Sequence, residues 1–589
     1  MLRQLAVATL LAVLGWSLGA PPLGRADEPN AFARLVREAG DAYYERLKRD
    51  SPQLRLSLGL PIESLPDLSL AKEEQDAAEA RAWLARLAAA KADELAHEDA
   101  LSLDVLRFLL EAEADAPRFH WLRFPVTPYA SPFRSVHGVF AAQAVTDAVG
   151  RARFLTLLGH YARLIGQMRE ILEGQAARGI RIPKQELDLV VPTLRAIAGG
   201  VDTSPLGVKS GRLAGVAPAE AEAFRSEVGR RLETQVNPGL TALASWLDGE
   251  YRKAAPDAVG LGQYPGGADY YRWLVRYHTS QDVTPEQVHR IGQERVAAIE
   301  AEMASLRARV GFTGTKAEFR EKLRTDPRFF PKTADEIGAR LMAHVARIEP
   351  KVDAFFLRKP RAPYGVKRLE PELEGAATFG YYQLPTASDP GGYYRYNGSK
   401  LEDRSLLNAG GLIFHELVPG HHFQLLLAIE NQGLPAFRRE TFFTAYSEGW
   451  GEYASDLAGE MGMYEDPYDR YGRLAMDIFI STRLVVDTGM NALGWPREKA
   501  VAFMREHLME TDTQIHTESL RYSTDIPGQS LAYRMGSLEL RRLREKARAA
   551  LGPRFDVRRF HDAVLGSGAL PMRTLEQHVD WFVKQEQAR

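Results

Sequence analysis

The residues best suited to chemistry lie between Leu412 and Tyr453, in two groups. They are Phe414-His415-Glu416-Leu417-Val418-Pro419-Gly420-His421-His422-Phe423-Gln424 and Tyr446-Ser447-Glu448-Gly449-Trp450. Three imidazoles and two carboxylates gather there inside apolar sequence, and imidazole with carboxylate is a ligand set that suits zinc.

On an unbroken helix, a His-Glu-x-x-His spacing stacks two imidazoles on one face about 6 Å apart, with the Glu beside them as general base. Here Pro419 holds the fifth position, and the next imidazoles come at His421 and His422. A continuous helix would turn His421 about 240° away from His415, and would set His422 on the right face but about 10 Å further along. Neither could share an ion with His415. Pro419 removes a backbone donor and Gly420 admits unusual dihedrals, so the sequence predicts a kink or bulge there. That distortion can return one imidazole to His415, and the residue types alone leave His421 and His422 both open.

A third ligand has to come from another element. After a helix from about Leu412 to Asn431, Gly433-Leu434-Pro435 breaks the chain. Helical spacing resumes from Ala436 to Glu460, with Phe442, Phe443, Tyr446, Trp450, Tyr453 and Leu457 on an apolar side. So short a connection makes the two helices antiparallel neighbours and sets Glu448 opposite the middle of the first. His415, His421 and Glu448 around one Zn²⁺ leave a fourth position for water, the layout of a catalytic site. Glu416 would then take a proton from that water and return it to a leaving amine.

These groups, with Asp487-Thr488-Gly489, Pro527-Gly528-Gln529 and Phe560-His561-Asp562-Ala563-Val564-Leu565-Gly566-Ser567-Gly568, resemble the bacterial family catalogued as domain of unknown function 885. The likeness spreads over most of the chain and is dense from about Gly375. Members of that family look like metallopeptidases of the gluzincin kind, similar in site logic to thimet oligopeptidase, angiotensin-converting enzyme and carboxypeptidase Taq. Those enzymes carry the unbroken His-Glu-x-x-His, which the Pro-Gly insertion here replaces. The family pattern favours His421 over His422 as ligand. By the same resemblance, the segment around Pro527-Gly528-Gln529 closes over the zinc, with Tyr533 or Tyr522 donating to the oxyanion. An Arg fork suits a substrate's C-terminal carboxylate, and Arg521 and Arg534 are the candidates there. Asp487 stands four residues after Arg483, the spacing of a helix ion pair. Asp487 and His422 are also candidates to support the ligands by hydrogen bonding.

The elements that must position these residues are mostly helical. Periodicity predicts helices at Ala31 to Lys48, Leu70 to Leu95, Phe140 to Leu172, Pro192 to Ile197, Pro218 to Leu247, Pro285 to Val310, Ala475 to Asn491 and Arg497 to Met509. Two short aromatic stretches read as strands: Glu374 to Pro385 and Gly392 to Asn397. A strand beside the zinc helix can take an extended peptide by strand addition. Phe119 to Phe133, with three prolines among aromatics, reads as extended. A boundary near Gly260 would divide an N-terminal helical region, 27–260, from a catalytic region, 261–589.

Met1-Leu2-Arg3, an apolar run from Leu5 to Leu18 and small residues up to Ala26 read as a secretory signal peptide, residues 1–26. The chain has no cysteine, which excludes disulfides and a lipid-bearing cysteine and implies a periplasmic or secreted protein. The 75 basic and 77 acidic residues, net −2, argue against nucleic acid or an anionic membrane as partner, and no stretch is long enough for stable membrane insertion. The expectation is a mainly α, multi-helix metallopeptidase-like fold with a cleft and a small β element beside the zinc helix. Its substrates would be short peptides, taken from the carboxyl end or internally. A zinc amidase acting on a small metabolite or cell-wall fragment, and a binding protein that keeps its metal without turnover, are the alternatives.

Overall fold

The computed structural model describes residues 31–128, 131–370, 374, 380–386 and 389–589. The expected signal peptide and residues 375–379, in the first half of the first expected strand, lie outside them. Helices account for nearly all of the regular structure. Several begin where the sequence supplies a cap: Thr284 and Gln287 form a reciprocal capping box at the start of Pro285–Arg309, and Thr315 and Glu318 do the same for Lys316–Thr325.

Two long helices expected from periodicity are interrupted, each for a local reason. The first becomes Phe133–Ala142 and Ala148–Ala177, with Asp147 accepting from Gly150 N to start the second. The second becomes Pro218–Arg231, one π-turn at Leu232–Val236, and Asn237–Trp246. Pro238 has no N–H to give and its ring needs room, which a π-turn supplies.

Three large apolar clusters hold the helices, and a small fourth joins Leu384, Leu426 and Ile429. One joins Val36, Leu103, Phe414, Trp450 and Phe560, another Phe140, Tyr161, Leu194, Tyr271 and Leu531, and a third Met303, Phe319, Tyr471, Ile478 and Tyr522. Residues from before and after position 260 share the first two. The two motif pieces rest in the first.

The β element has three strands: β1 (Tyr364–Arg368), β2 (Tyr381–Gln383) and β3 (Gly392–Tyr396). β3 is central, parallel to β1 and antiparallel to β2. Its residues alternate buried and half-buried, with Tyr394 and Tyr396 turned into the first core, as a one-sided sheet requires. β1 was not foreseen, since Tyr364-Gly365-Val366-Lys367-Arg368 has only one β-branched residue.

The helix Thr444–Glu460 packs most extensively on Leu531–Leu551. Their crossing is a glycine contact: a Cβ at Gly449 would meet the Gly536 backbone at 2.6 Å, and one at Gly536 would lie 1.9 Å from the Ala445 carbonyl oxygen. Gly536→Val is expected to lower the unfolding free energy by about 3 kcal/mol, read as a fall in the urea midpoint. A variant within about 0.5 kcal/mol of the parent would show that the two helices do not need this approach.

Candidate metal centre

The motif is two helices. Ala409–Glu416 ends just after His415, the chain passes a cis Val418–Pro419 peptide, and His421–Glu430 begins at His421. The break is fixed from outside, because the Trp450 indole donates to the Pro419 carbonyl at 3.0 Å. Gly420 is required by crowding, since any Cβ there would lie 1.8 Å from the His415 carbonyl oxygen.

The returning element is also split. Ala436–Arg439 is a single turn, and the helix proper is Thr444–Glu460. Phe437 packs on Tyr43, while the fully buried Arg438 donates to Ser102 and to the Ser567 carbonyl. These contacts with distant segments hold the first turn apart.

The consequence is a cluster of His415, His421 and Glu448, with one candidate ligand atom from each lying within 4.8 Å of the others. Glu448 Oε2 stands 3.6 Å from His415 Nε2 and 3.5 Å from His421 Nε2, and the two imidazole rings are nearly perpendicular, 4.6 Å between centroids. Two ligands on a tetrahedral zinc, each bonded at about 2.0–2.1 Å, stand about 3.4 Å apart. The donor set and its spacing therefore fit a divalent cation, and no other His/Asp/Glu group of this size occurs among the described residues.

The charges point the same way. Burial lowers the pKa of His415, but Glu448 and Glu452 outweigh it and raise it to about 10. Burial raises Glu448, and His415 and His421 hold it well below the usual range. Buried carboxylates here call for positive charge, which a proton or a metal ion can supply. Glu416 is half-buried, and its carboxyl is pushed up by burial, with Glu448 and Glu452 adding to the rise and both histidines opposing it.

Behind His415 stands a residue that the sequence reading missed. Glu452 accepts from His415 Nδ1 at 2.9 Å and from Arg473 at 2.9 Å, and Arg473 also pairs with Asp456. Burial would raise Glu452, but Arg473 and His415 hold it at about 2. The signal was present: Glu452 follows Glu448 by one helical turn, so it shares its face. Gly451, between them, leaves room for the ring, since a Cβ there would come within 2.6 Å of His415.

His422 is not in the cluster. Its Nε2 donates to the Ala362 carbonyl at 3.1 Å, leaving Nδ1 to accept from Tyr382 at 2.8 Å. Burial lowers its pKa to about 4, so the neutral ring ties the second motif helix to the sheet and does not support a ligand. His561 is a comparable brace, bonded to Tyr453 and the Phe355 carbonyl.

The residues expected to close over the site divide. Tyr533 lies with its ring 6.3 Å from that of His415. Burial and Glu448 raise its phenol to about 12, so it remains a proton donor. Tyr522 is fully buried and its oxygen takes a hydrogen bond from Arg483 at 2.7 Å, so it is not open to a substrate. Arg521 is partly exposed and bonds Gln529 and Glu518. Arg534 is fully buried and paired with Asp477, which removes it as a substrate clamp. The expected Arg483–Asp487 pair does not form: Arg483 binds Glu518 and covers the Tyr533 ring. Asp487 bonds none of the cluster histidines. It accepts from Gly528 N, Ser530, Tyr271 and Asn491, and burial outweighs those bonds to push it up to about 6.

A model of the bacterial family of unknown function designated DUF885 matches residues 52–579, and the chain belongs to that family. It is similar to the crystal structure of a "putative lipoprotein" from Colwellia psychrerythraea, 26% identical with a TM-score of 0.84, over 94% of this chain and 99% of that one. A "putative lipoprotein of unknown function" from Shewanella oneidensis, 18% identical, shares the fold with a TM-score of 0.71 over 92% and 99% of the two chains. No curated protein matches.

Metal analysis of purified variants tests the cluster. His415→Ala, His421→Ala and Glu448→Ala are each expected to lose most of one bound zinc, whereas His422→Ala keeps it. Glu452→Gln, which keeps shape but removes charge, is expected to weaken zinc affinity by about 10- to 100-fold. Retention by His421→Ala with loss by His422→Ala would reverse the ligand assignment.

Proposed function

We propose that this member of the DUF885 family is a zinc-dependent hydrolase of amide bonds that acts on short peptides. The observation that carries the reading is a half-buried carboxyl, Glu416, directly beside a His415–His421–Glu448 cluster whose spacing fits a tetrahedral ion. Zinc held by those three residues would act as a Lewis acid, making water a better nucleophile at neutral pH and polarising a carbonyl.

The chain's own groups divide the remaining work. Glu416, whose carboxyl burial pushes up, takes a proton from the attacking water and gives it to the leaving nitrogen. Tyr533, neutral and on the His415 side, donates a hydrogen bond to the oxygen that gains charge. Glu452 holds the His415 ring by its Nδ1. Arg521 is the remaining cation for a substrate's C-terminal carboxylate, because Arg534 is sealed in the core. Strand β2 is an edge, with Tyr381 half-exposed, and offers backbone groups to an extended peptide.

This set of groups specifies water activation and not the acyl group. A small non-peptide amide, such as a metabolite or a cell-wall fragment, is therefore the second reading. A binding role without turnover leaves Glu416 with no task. An extracytoplasmic location is supported by the expected signal peptide and by the lipoprotein descriptions of the similar proteins. This chain has no cysteine to carry a lipid. Among the described residues, no helix is long and apolar enough to cross a membrane.

Glu416→Gln is expected to retain zinc and lose about 100-fold or more of its peptide hydrolysis, measured on a peptide library with and without a chelator. Wild-type turnover in that variant removes Glu416 from the mechanism, and chelator-sensitive cleavage of non-peptide amides alone selects the second reading. On a single short peptide, C-terminal amidation is expected to raise KM. Cleavage indifferent to amidation and stopped by N-terminal acetylation would reject Arg521 as a carboxylate clamp.

A further inference from the structure

The helix Pro467–Asn491 reaches the site at two places. In its first half Arg473 holds Glu452, and through it His415. Further along, Arg483 lies over the ring of Tyr533, the group assigned to the oxygen that gains charge. The guanidinium carbon stands 4.9 Å from the centre of that ring, within the reach of a cation–π contact. The ring is in turn within 18° of parallel to the His415 imidazole, with 6.3 Å between centroids.

Arg483 is itself fixed by several partners. Its Nε donates to the Tyr522 hydroxyl at 2.7 Å and its Nη2 to Glu518 Oε2 at 3.2 Å. The Phe479 ring, one turn back on the same helix, lies 4.4 Å away. The side chain of Arg483 is 8% exposed and that of Glu518 2%, so water and salt screen the pair little.

Tyr533 is in a different position. It is partly exposed and lies in the first turn of Leu531–Leu551. The next residue, Arg534, is held in the core by Asp477 of the long helix, which fixes the backbone but not the phenol ring. A ring open to solvent gives up rotamer freedom when it is held in one place, and the guanidinium on it favours one placement. A lysine could not replace that guanidinium: its compact ammonium can answer Glu518, but it has no flat face for the ring and no fork to reach Tyr522 as well.

We propose that Arg483 is a positioning residue: its guanidinium, locked by Glu518 and Tyr522, holds the Tyr533 ring beside His415 so that the phenol is in place for the substrate oxyanion. This rests on the reading of Tyr533 as an oxyanion donor. Loosening the hold costs pre-organisation, which weakens binding of a charged intermediate and leaves the metal ligands intact.

The test uses zinc-loaded full-length protein. With Tyr533 replaced by 3-fluorotyrosine, fluorine NMR reads the ring directly. Arg483→Lys keeps a cation opposite Glu518, and Tyr522→Phe removes only one of the guanidinium's hydrogen bonds. Both are expected to shift and broaden the fluorine line, Arg483→Lys the more, with the bound zinc retained; an unchanged line in both overturns the proposal. The second readout, on unlabelled protein, is calorimetric affinity for a C-terminally amidated phosphinic dipeptide, whose anionic oxygens mimic the charged intermediate and which gives Arg521 no carboxylate to hold. Arg483→Lys and Tyr533→Phe are each expected to weaken binding by about tenfold. The double variant should lose little more than either, because the guanidinium acts by placing the hydroxyl. If Arg483→Lys does not fold, Tyr522→Phe takes its place in the cycle, with an expected loss of about threefold. Parent affinity in the single variant, multiplicative losses in the double variant, or no phosphinate binding by the parent overturns the proposal. A parent that gives the expected cycle but cleaves no amide refutes the hydrolase reading and leaves the placement of Tyr533 supported.

Discussion

The hydrogen bond from the Trp450 indole to the Pro419 carbonyl is the constraint on which the candidate metal cluster depends. The Pro419 carbonyl lies in the break between the two motif helices and belongs to neither, and a buried carbonyl needs a donor. Here that carbonyl is buried, and Trp450 satisfies it from the very helix that carries Glu448. One bond therefore sets the break in the first element against the position of the second. Gly420 lets the chain pass the His415 carbonyl, and His421 opens the next helix facing back towards His415.

Around this break the protein buries an unusual amount of charge. Glu452, Arg473 and Arg534 are almost inaccessible, and each is matched by an opposite partner. Taking such groups out of water is costly and is repaid only by close, well-oriented pairs. Packed apolar side chains would hold the same helices together without that cost. What charge adds is direction: Glu452 fixes the His415 ring through Nδ1 and leaves Nε2 towards Glu448.

The opposite side of the cluster has a different character. Glu416, His421, Glu448, Arg521, Gln529 and Tyr533 are all partly exposed, while Glu518, which accepts from Arg521, and Asp487, which holds the turn before Tyr533, are buried. The division fits a site in which inaccessible residues set the geometry and accessible ones meet a ligand. It also accounts for the pairs of similar residues that separated, Arg521 from Arg534 and Tyr533 from Tyr522. Arg521 and Tyr522 are sequence neighbours, as are Tyr533 and Arg534, and the turn of about 100° per residue leaves one of each two partly exposed and buries the other.

The sequence by itself determined the helical class, the residue types of the cluster, the break at Pro419-Gly420 and the return of Glu448, because each rests on local chemistry: periodicity, a missing N–H, a short connection. It also located the β3 strand, whose alternating tyrosines are a local pattern. The choice between His421 and His422 could not be made from residue types, since it turns on the dihedrals of three residues at the break, and there the family likeness favoured the imidazole that the structure brings to His415. Only the tertiary structure decided that His422 braces the sheet, that Glu452 and not Asp487 bonds His415, and that Arg483 passes over Asp487 for Glu518. Those outcomes depend on which surfaces meet across gaps of 35 to more than 100 residues, and no single segment carries that information.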